Sequence, residues 1–297
     1  MRRFIKRVMV VALVVGSVSA ASPATAQPQI QALPSPLRFV SNLDLECFRT
    51  SPYTPPAIPI VTKHLNPALS GLPTETVILG PREKLCVPVA KRGAEPTDDV
   101  IDFVRYVDLS CYRIQGINVN QPLTLRHLNP LFATSVLPKN VVITIPQHLC
   151  LPVIKNGVVP PPEVLRLVQY IDLKCYLAQP QTSLHKQVFL THLNRVLAHL
   201  PGHFGDITFN RQLCVPVQKA VPTAPAPQPI PLDVLNIVRW IDIELYDLAT
   251  PAIPPQTLFL RHINPALPNL PGETAVIQQA FQIGLPVAKN NFTPPPV

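Results

Sequence analysis

The stretches Asp108-Leu109-Ser110-Cys111-Tyr112 and Leu149-Cys150-Leu151-Pro152-Val153-Ile154-Lys155 decide the fold, because versions of both occur four times. The first stretch recurs from Asp44, Asp172 and Asp242, so the period is 64, 64 and then 70 residues. Self-similarity at a fixed period is the sequence signature of a repeat architecture. We therefore define copy 1 as residues 36–93, copy 2 as 100–157, copy 3 as 164–220 and copy 4 as 232–292.

The cysteines follow this repeat. In three copies, two cysteines stand 39 residues apart: Cys47 and Cys86, Cys111 and Cys150, Cys175 and Cys214. Copy 4 has Leu245 and Gly284 at the matching positions, so both partners are missing together. This pattern predicts three disulfides, each within one copy, and each worth about 4 kcal/mol in the chain-entropy description. Zinc is a weak alternative, because no CxxC spacing occurs.

Each copy has the pattern of a small antiparallel β module. In copy 2, Val107, Leu109 and Cys111 alternate onto one face, and 123–128, 141–145 and 148–155 are the further strand candidates. In copy 3 the stretch 164–171 has helical spacing, so a short helix before the first strand stays open. Asn66-Pro67 predicts one helical turn, with Asn as the N-cap. We expect an all-β chain of four tandem modules joined by proline-rich linkers.

The segments outside the copies are rich in proline or small residues. Residues 1–26 are predicted to be a signal peptide, 27–35 a proline-rich lead-in, 221–231 a proline-rich linker, and 293–297 a tail. The shorter connections 94–97 and 158–163 also contain proline. The linker 221–231 favours the polyproline II conformation. Whether the modules stack or hang as beads stays open at this point.

The N-terminus has the three parts of an export signal. Cationic residues precede the apolar run Val8–Val15, and Ala24-Thr25-Ala26 supplies a cleavage site after Ala26. The run is too short to span a bilayer, which disfavours an uncleaved anchor. We expect a secreted, periplasmic or cell-envelope protein with no stable membrane insertion after cleavage. The pair Arg2-Arg3 leaves the choice between general and twin-arginine export open.

Composition narrows the functional classes. The chain of 297 residues is 47% apolar and 14% charged, which argues against a disordered chain and a coiled coil. It has 39 prolines and only 10 glycines, so long helices and phosphate-cradling loops are improbable. Removing the four cations of residues 1–26 leaves 21 minus 17, or +4. A net charge this small, in a sequence without a run of basic residues interleaved with aromatic ones, gives no support for a nucleic-acid partner.

The repeated motif resembles that of a family of uncharacterised domains in secreted bacterial proteins, which repeat a CYKV…LCxPxxKNG pattern. Cys111-Tyr112 and Leu149-Cys150-Leu151-Pro152-Val153-Ile154-Lys155-Asn156-Gly157 carry the similarity best. The match covers copies 1 to 3, and copy 4 departs from it by lacking both cysteines. The resemblance implies export and a β fold, and it implies no activity and no catalytic residue.

Histidine and asparagine recur together in every copy, at His64 and Asn66, His127 and Asn129, His192 and Asn194, and His262 and Asn264. Four histidines on a pseudo-fourfold axis could hold a metal. No carboxylate adjoins them, however, so we expect each to pack at a strand end and hydrogen-bond the following turn. We predict a structural role and no metal.

One carboxylate and one lysine also recur, as the pairs Asp44 and Lys91, Asp108 and Lys155, Asp172 and Lys219, and Asp242 and Lys289. Their odd offsets from the cysteines put both charges on the face opposite the disulfide, so we expect surface ion pairs. General acid–base chemistry needs a second nearby carboxylate, and none recurs. GxSxG, HExxH, P-loop and GxGxxG motifs are absent from the sequence. We predict no catalytic residue, no cofactor and no enzyme activity.

We expect an exported, non-enzymatic repeat protein with a structural, adhesive or surface- and polymer-binding role, since repetition multiplies weak contacts. The partner would be an extracellular or envelope polymer or protein. One alternative is a binding or inhibitor module for a specific secreted protein, acting through loops at Pro55-Pro56 or Pro254-Pro255. The other is an enzyme of unknown type. The sequence leaves the ligand, the oligomeric state and the packing between copies open.

Overall fold

The computed structural model describes residues 32–222 and 229–296. The chain is predominantly antiparallel β-sheet and carries three disulfides, as the sequence predicts. The signal peptide predicted over 1–26 lies outside the described residues, as do 27–31 of the lead-in and 223–228 of the linker. Residues from Ala32 onward form one compact unit.

Each copy contributes the same order of elements: a short helix, a first strand, a second strand and a long third strand. The helices are α1 Pro36–Ser41, α2 Asp98–Val104, α3 Pro162–Val168 and α4 Leu232–Val238. The first strands are β1 Asp44–Thr50, β5 Leu109–Arg113, β8 Leu173–Gln179 and β11 Ile243–Ala249. The second strands are β2 Pro59–His64, β6 Gln121–His127, β9 Ser183–His192 and β12 Gln256–His262. The third strands are β3 Glu75–Ile78 with β4 Arg82–Lys91, β7 Lys139–Lys155, β10 His203–Ala220 and β13 Glu273–Lys289.

The third strand differs from the expectation of two separate strands, 141–145 and 148–155. In copy 2 it is the single strand β7, which bends through register shifts between Ile143 and His148 as it pairs with β8. Such bulges bend a strand without ending it. Only in copy 1 is the strand broken, at Gly80-Pro81, where proline cannot donate to the ladder.

The helical turn predicted at Asn66-Pro67 is present as a 3-10 helix over Pro67–Leu69. Asn66 caps it, because its side-chain oxygen accepts a hydrogen bond from the Ala68 backbone N–H at 2.9 Å. Asn129, Asn194 and Asn264 accept the equivalent bond from the second residue after each of them. The asparagine of the repeated motif is thus a capping residue.

Eight strands close into a ring. Each first strand pairs antiparallel with the C-terminal half of its own third strand and with an earlier part of the third strand of the preceding copy. The order around the ring is therefore β1, β4, β5, β7, β8, β10, β11, β13 and back to β1. Closing a sheet on itself removes the exposed edges that would otherwise pair with other chains.

The second strands connect copies that lie opposite each other in this ring. We call each second strand, with the N-terminal part of its third strand, an arm. The arm of copy 1 pairs with β10 of copy 3, and the arm of copy 3 pairs with β4 of copy 1. The arms of copies 2 and 4 pair with β13 and β7 in the same reciprocal way. The four copies therefore form one interlocked sheet rather than separable modules.

The disulfides lie side by side on the inner face of the ring. Cys47, Cys111 and Cys175 stand directly opposite Cys86, Cys150 and Cys214 in the strand pairing. At the fourth position Leu245 stands opposite Gly284. A Cβ on Gly284 would lie 3.1 Å from Leu245 Cδ2, so glycine leaves the room that leucine fills. In copy 4, therefore, the leucine side chain opposite a glycine fills the space that a disulfide occupies in the other copies.

The helices cover one end of the ring. α1 contacts α2 and α4, and α3 contacts the same two helices, so the four form a closed circle. Phe39, Phe103 and Leu167 from these helices share one buried core with all six cysteines. Three further cores fill the space between the ring and its covering arms. Both faces of the ring strands are therefore buried, which is why β1 begins with five buried residues.

Candidate functional site

The repeated aspartate, lysine and asparagine meet in groups of three. Lys91 pairs with Asp44, Lys155 with Asp108, Lys219 with Asp172 and Lys289 with Asp242. The second carboxylate oxygen accepts a hydrogen bond from the asparagine of the next copy: Asn129 donates to Asp44, Asn194 to Asp108, Asn264 to Asp172 and Asn66 to Asp242, at 2.6–2.7 Å. The last of these bonds joins copy 1 to copy 4 and completes the circle.

These groups are buried, so the expectation of surface ion pairs was wrong. The Lys289 and Asp242 side chains are 0% and 3% exposed. Burial raises the pKa of Asp172 and Asp242 to about 6 and lowers the pKa of Lys219 to about 8. The odd offsets from the cysteines correctly predicted that these residues lie on the face opposite the disulfides. They did not show that the arms cover this outer face of the ring. These buried groups of aspartate, lysine and asparagine are paired with one another, so their role is to stabilise the fold.

The repeated histidines contact the aromatic residue that follows the first cysteine position of the opposite copy. His64 Nε2 is 2.9 Å from the Tyr176 hydroxyl, His262 Nε2 is 2.9 Å from that of Tyr112, and His127 Nε2 is 3.1 Å from that of Tyr246. His192 lies against Phe48, with ring centroids 5.9 Å apart. The expected bond from histidine to its following turn is not formed, because the asparagine makes it.

The four histidines do not converge. Each is the last residue of the second strand in a different arm, and each contacts a different copy. Among the residues that the structure describes, no group of three or more His, Cys, Asp or Glu side chains is arranged to hold a metal ion. Burial lowers the pKa of His64 and His192 to about 4 and that of His127 and His262 to about 3. All four are therefore neutral at pH 7.

A further set of buried polar pairs escaped the sequence reading. The residue two after each repeated aspartate contacts the start of the third strand of the opposite copy: Glu46 with His203, Ser110 with Glu273, Lys174 with Glu75 and Glu244 with Lys139. Each pair is complementary, and the two lysine–glutamate pairs have opposite polarity, since the lysine lies on the first strand in copy 3 and the glutamate in copy 4. Aligning the four copies with a two-copy offset would have exposed this matching of donors with acceptors and of opposite charges.

The end of the ring away from the helices is polar. The residue two before the second cysteine position faces inward and is buried and polar in every copy, as Lys84, His148, Gln212 and Gln282. Lys84 Nζ donates to Gln212 Oε1 and to Gln282 Oε1, both at 2.8 Å. Gln212 Nε2 lies 3.0 Å from His148 Nδ1. We call these four residues, with the strand ends around them, the polar end.

The network of the polar end continues to the surface. His148 Nε2 lies 2.7 Å from Glu83, and Arg113 Nε donates to Glu83 at 2.7 Å. The hydrogen bond from His148, aided by Arg113, lowers the pKa of Glu83 to about 2. Burial lowers the pKa of Lys84 to about 7, although attraction to Glu83 opposes this shift. The chain of contacts thus links a buried amine to an exposed ion pair.

Around the polar end the residue three before each second cysteine position adjoins the first strand of the next copy. Glu83 pairs with Arg113, Arg211 pairs with Asp247 in the reverse polarity, and Arg49 lies over the Phe281 ring at 4.1 Å. The repeated motif is constant where it is buried between copies. Here, in contrast, two copies have a carboxylate–arginine pair of opposite polarity and a third has an arginine–phenylalanine contact. We call these partly exposed residues the rim of the polar end.

Two open clefts adjoin this rim. One, of about 420 Å³, is lined by Glu83, Arg113, Gln115, Ile145, Gln147 and His148 together with Ile114, Gly116 and Pro146. The other, of about 470 Å³, is lined by Arg49, Thr50, Ser51, Gln278, Gln279, Ala252 and Val276. Both volumes lie within the usual range for small-ligand sites. Of the two proline loops singled out in the sequence, Pro56, Pro254 and Pro255 are exposed and Pro55 is buried.

Comparison with known proteins gave no assignment: no family model, no curated protein and no solved structure matches this chain. The three disulfides indicate an oxidising environment, extracellular or periplasmic. In the part of the chain that the structure describes, none of the helices has the length and apolar character needed to cross a bilayer.

Proposed function

We propose that this chain is an exported, non-enzymatic protein, cleaved after Ala26, that binds an extracellular or envelope polymer or surface. Its four copies act as tandem repeats, joined by proline-containing connections, that build one rigid scaffold. One observation supports this most: the polar residues that recur in every copy are buried and paired with one another, whereas polar groups that are partly open to solvent and vary between copies, such as Glu83 with Arg113 and Arg211 with Asp247, lie on the rim around the polar end.

A catalytic role for the recurring residues is disfavoured by their surroundings. Asp242 is occupied by Lys289 and Asn66, and the neutral His262 contacts the Tyr112 hydroxyl beneath an arm. A general acid or base must reach a substrate proton within hydrogen-bond distance. A rigid scaffold stapled by disulfides suits binding, because little conformational freedom is lost when a ligand is bound.

The experiment is co-sedimentation of the mature chain, residues 27–297, with isolated envelope material and with insoluble extracellular polysaccharide. Binding that saturates and resists washing is the expected result, with reduced and unfolded protein as the control for non-specific adhesion. Absence of co-sedimentation with every fraction would refute the proposal. Capture of one secreted protein in a fixed ratio would favour the inhibitor alternative, with the exposed Pro254-Pro255 loop as the first segment to test.

A further inference from the structure

We propose that the cleft of about 420 Å³ beside Glu83 and Arg113 binds a neutral oligosaccharide segment. The inference rests on the proposed function and names its ligand class and its site. The cleft lies where copy 1 meets copy 2, with Glu83 in β4, Arg113 at the end of β5 and Gln147 and His148 in β7. Its position at the polar end leaves it open to a chain-like ligand.

The charges of the cleft favour a neutral ligand. The Arg113 guanidinium and the Glu83 carboxylate contact each other, with Arg113 Nε to Glu83 Oε1 at 2.7 Å, so their charges offset one another. A ligand anion would meet Glu83, and a ligand cation would meet Arg113. Hydroxyl groups suit this pair, because each can donate to the carboxylate and accept from the guanidinium. Gln115 and Gln147 add amide groups that both donate and accept.

The walls of the cleft suit the C–H faces of sugar rings. Ile145 is 45% exposed, and Ile114 and Pro146 complete an apolar lining. Ligand sites combine such apolar surface with a few fixed polar groups. Here the position of Glu83 is fixed by a buried network, because His148 contacts Glu83 through one ring nitrogen and Gln212 through the other.

The backbone around the cleft disfavours a peptide ligand. Extended peptides bind by adding a strand to a free sheet edge. β7 has β8 on one edge and β5 and β6 on the other. The Ile114 N–H donates to the Gln147 carbonyl at 3.0 Å, and the Arg113 N–H donates to the Pro81 carbonyl at 2.9 Å. The strand next to the cleft therefore offers no edge for strand addition, and side chains remain to recognise the ligand.

The test is calorimetric titration of the mature chain with neutral hexasaccharides: malto-, cello-, xylo- and chitohexaose. We expect at least one to bind in the millimolar range or tighter. Glu83→Gln and Arg113→Gln should each weaken that binding about tenfold, the effect of losing a charge-assisted hydrogen bond. The matched control is Arg211→Gln, which removes the equivalent guanidinium between copies 3 and 4, outside this cleft. Thermal unfolding should show that all variants remain folded.

Three results would overturn the inference: no hexasaccharide binds, Arg211→Gln weakens binding as much as Arg113→Gln, or unstructured peptides bind and compete in place of sugars. Co-sedimentation separates this failure from failure of the proposed function. If envelope binding persists in Glu83→Gln and is not displaced by hexasaccharide, the cleft is the wrong site on a protein that still binds a polymer. If envelope binding is absent altogether, the proposed function itself is wrong.

Discussion

The Leu245 and Gly284 pair predicts that a fourth disulfide can be installed. These residues face each other in register as the three cysteine pairs do, and the same 39 residues separate them. A Cβ added to Gly284 would lie 2.5 Å from Ile243 Cγ2 and 3.1 Å from Leu245 Cδ2. The other copies have leucine where copy 4 has Ile243. The substitution that reproduces them is therefore the triple variant Ile243→Leu, Leu245→Cys, Gly284→Cys.

The expected gain follows from two opposing terms. Closing a loop of this length stabilises by about 4 kcal/mol in the chain-entropy description. Replacing Leu245 by cysteine removes about two buried carbon groups, which costs about 1.6 kcal/mol at 0.8 kcal/mol for each. The triple variant should therefore be more stable by about 2 kcal/mol, or a melting temperature about 4–8 °C higher. The double variant Leu245→Cys, Gly284→Cys, which keeps Ile243, should gain less stability, because the new Cβ at position 284 still lies too close to Ile243 Cγ2.

The assays are thermal and urea unfolding of the oxidised proteins, with Ile243→Leu alone as the control. Titration of thiols under denaturing conditions should find none free in the triple variant. Gly284→Ala alone should be destabilising, since it creates the contact without relieving it. The reasoning would be refuted if the triple variant folded with two free thiols, or formed the bond and melted no higher than the control.

Three further predictions concern the buried polar groups and the interlocked arms. Lys289→Met should lower the free energy of unfolding by about 3 kcal/mol or more, because it leaves the buried Asp242 carboxylate without its cation. The double variant Lys289→Met, Asp242→Leu should recover most of this loss. Equal losses for the single and double variants in urea unfolding would contradict the reasoning. The contribution of the four repeated histidines to the free energy of unfolding should fall as the pH drops from about 6.5 to 4, by up to about 1.4 kcal/mol per pH unit for each histidine. The histidine pKa of 6.5 in the unfolded chain exceeds that of about 4 for His64 and His192 and about 3 for His127 and His262 in the fold, so the unfolded chain binds the protons first. Asp172 and Asp242, whose folded pKa is about 6 rather than 3.8, act in the opposite sense, as do Asp44, Asp108 and Glu244, whose pKa burial also raises. The histidine contribution is therefore measured by comparison with His262→Gln in urea unfolding over this range: the variant should lose less stability than the unchanged protein, and an equal loss would refute the assignment. Finally, a fragment of copies 1 and 2 alone, residues 36–157, should lack cooperative unfolding by circular dichroism, because the arms of both copies pair with copies 3 and 4; a cooperative transition would show that the copies are independent.

The features that the sequence predicted are those whose evidence lies within one copy. The equal spacing of the cysteines identified Cys47 and Cys86 as partners of each other. The odd offsets of Asp44 and Lys91 from these cysteines placed both charges on the same face. Asn66-Pro67 carries its own capping chemistry, so its helical turn was predicted from four residues. Local pattern is sufficient where neighbouring residues alone determine the geometry.

The features that the sequence did not predict depend on distant parts of the chain. The burial of Asp44 results from coverage by an arm, and Asn129 reaches it from 85 residues away. His64 meets Tyr176 across 112 residues. The polar end was missed because Lys84, His148, Gln212 and Gln282 include three different residue types, so a search for a residue that recurs in every copy passes over them. Their equivalence is visible only when position in the copy, rather than residue type, is compared.

The reciprocal pairing of opposite copies has a consequence for how the chain reaches its native state. A nascent chain that has produced only its first two copies lacks β10 and β13, the strands on which β2 and β6 depend. Little of the native pairing of these segments can form until nearly the whole polypeptide is present, and the bond from Asn66 to Asp242 must wait for the fourth copy. Contacts of such long range make folding slow. Until synthesis or translocation is complete, the early hydrophobic strands stay exposed to neighbouring chains, so a chaperone that covers them in that interval would suppress their aggregation.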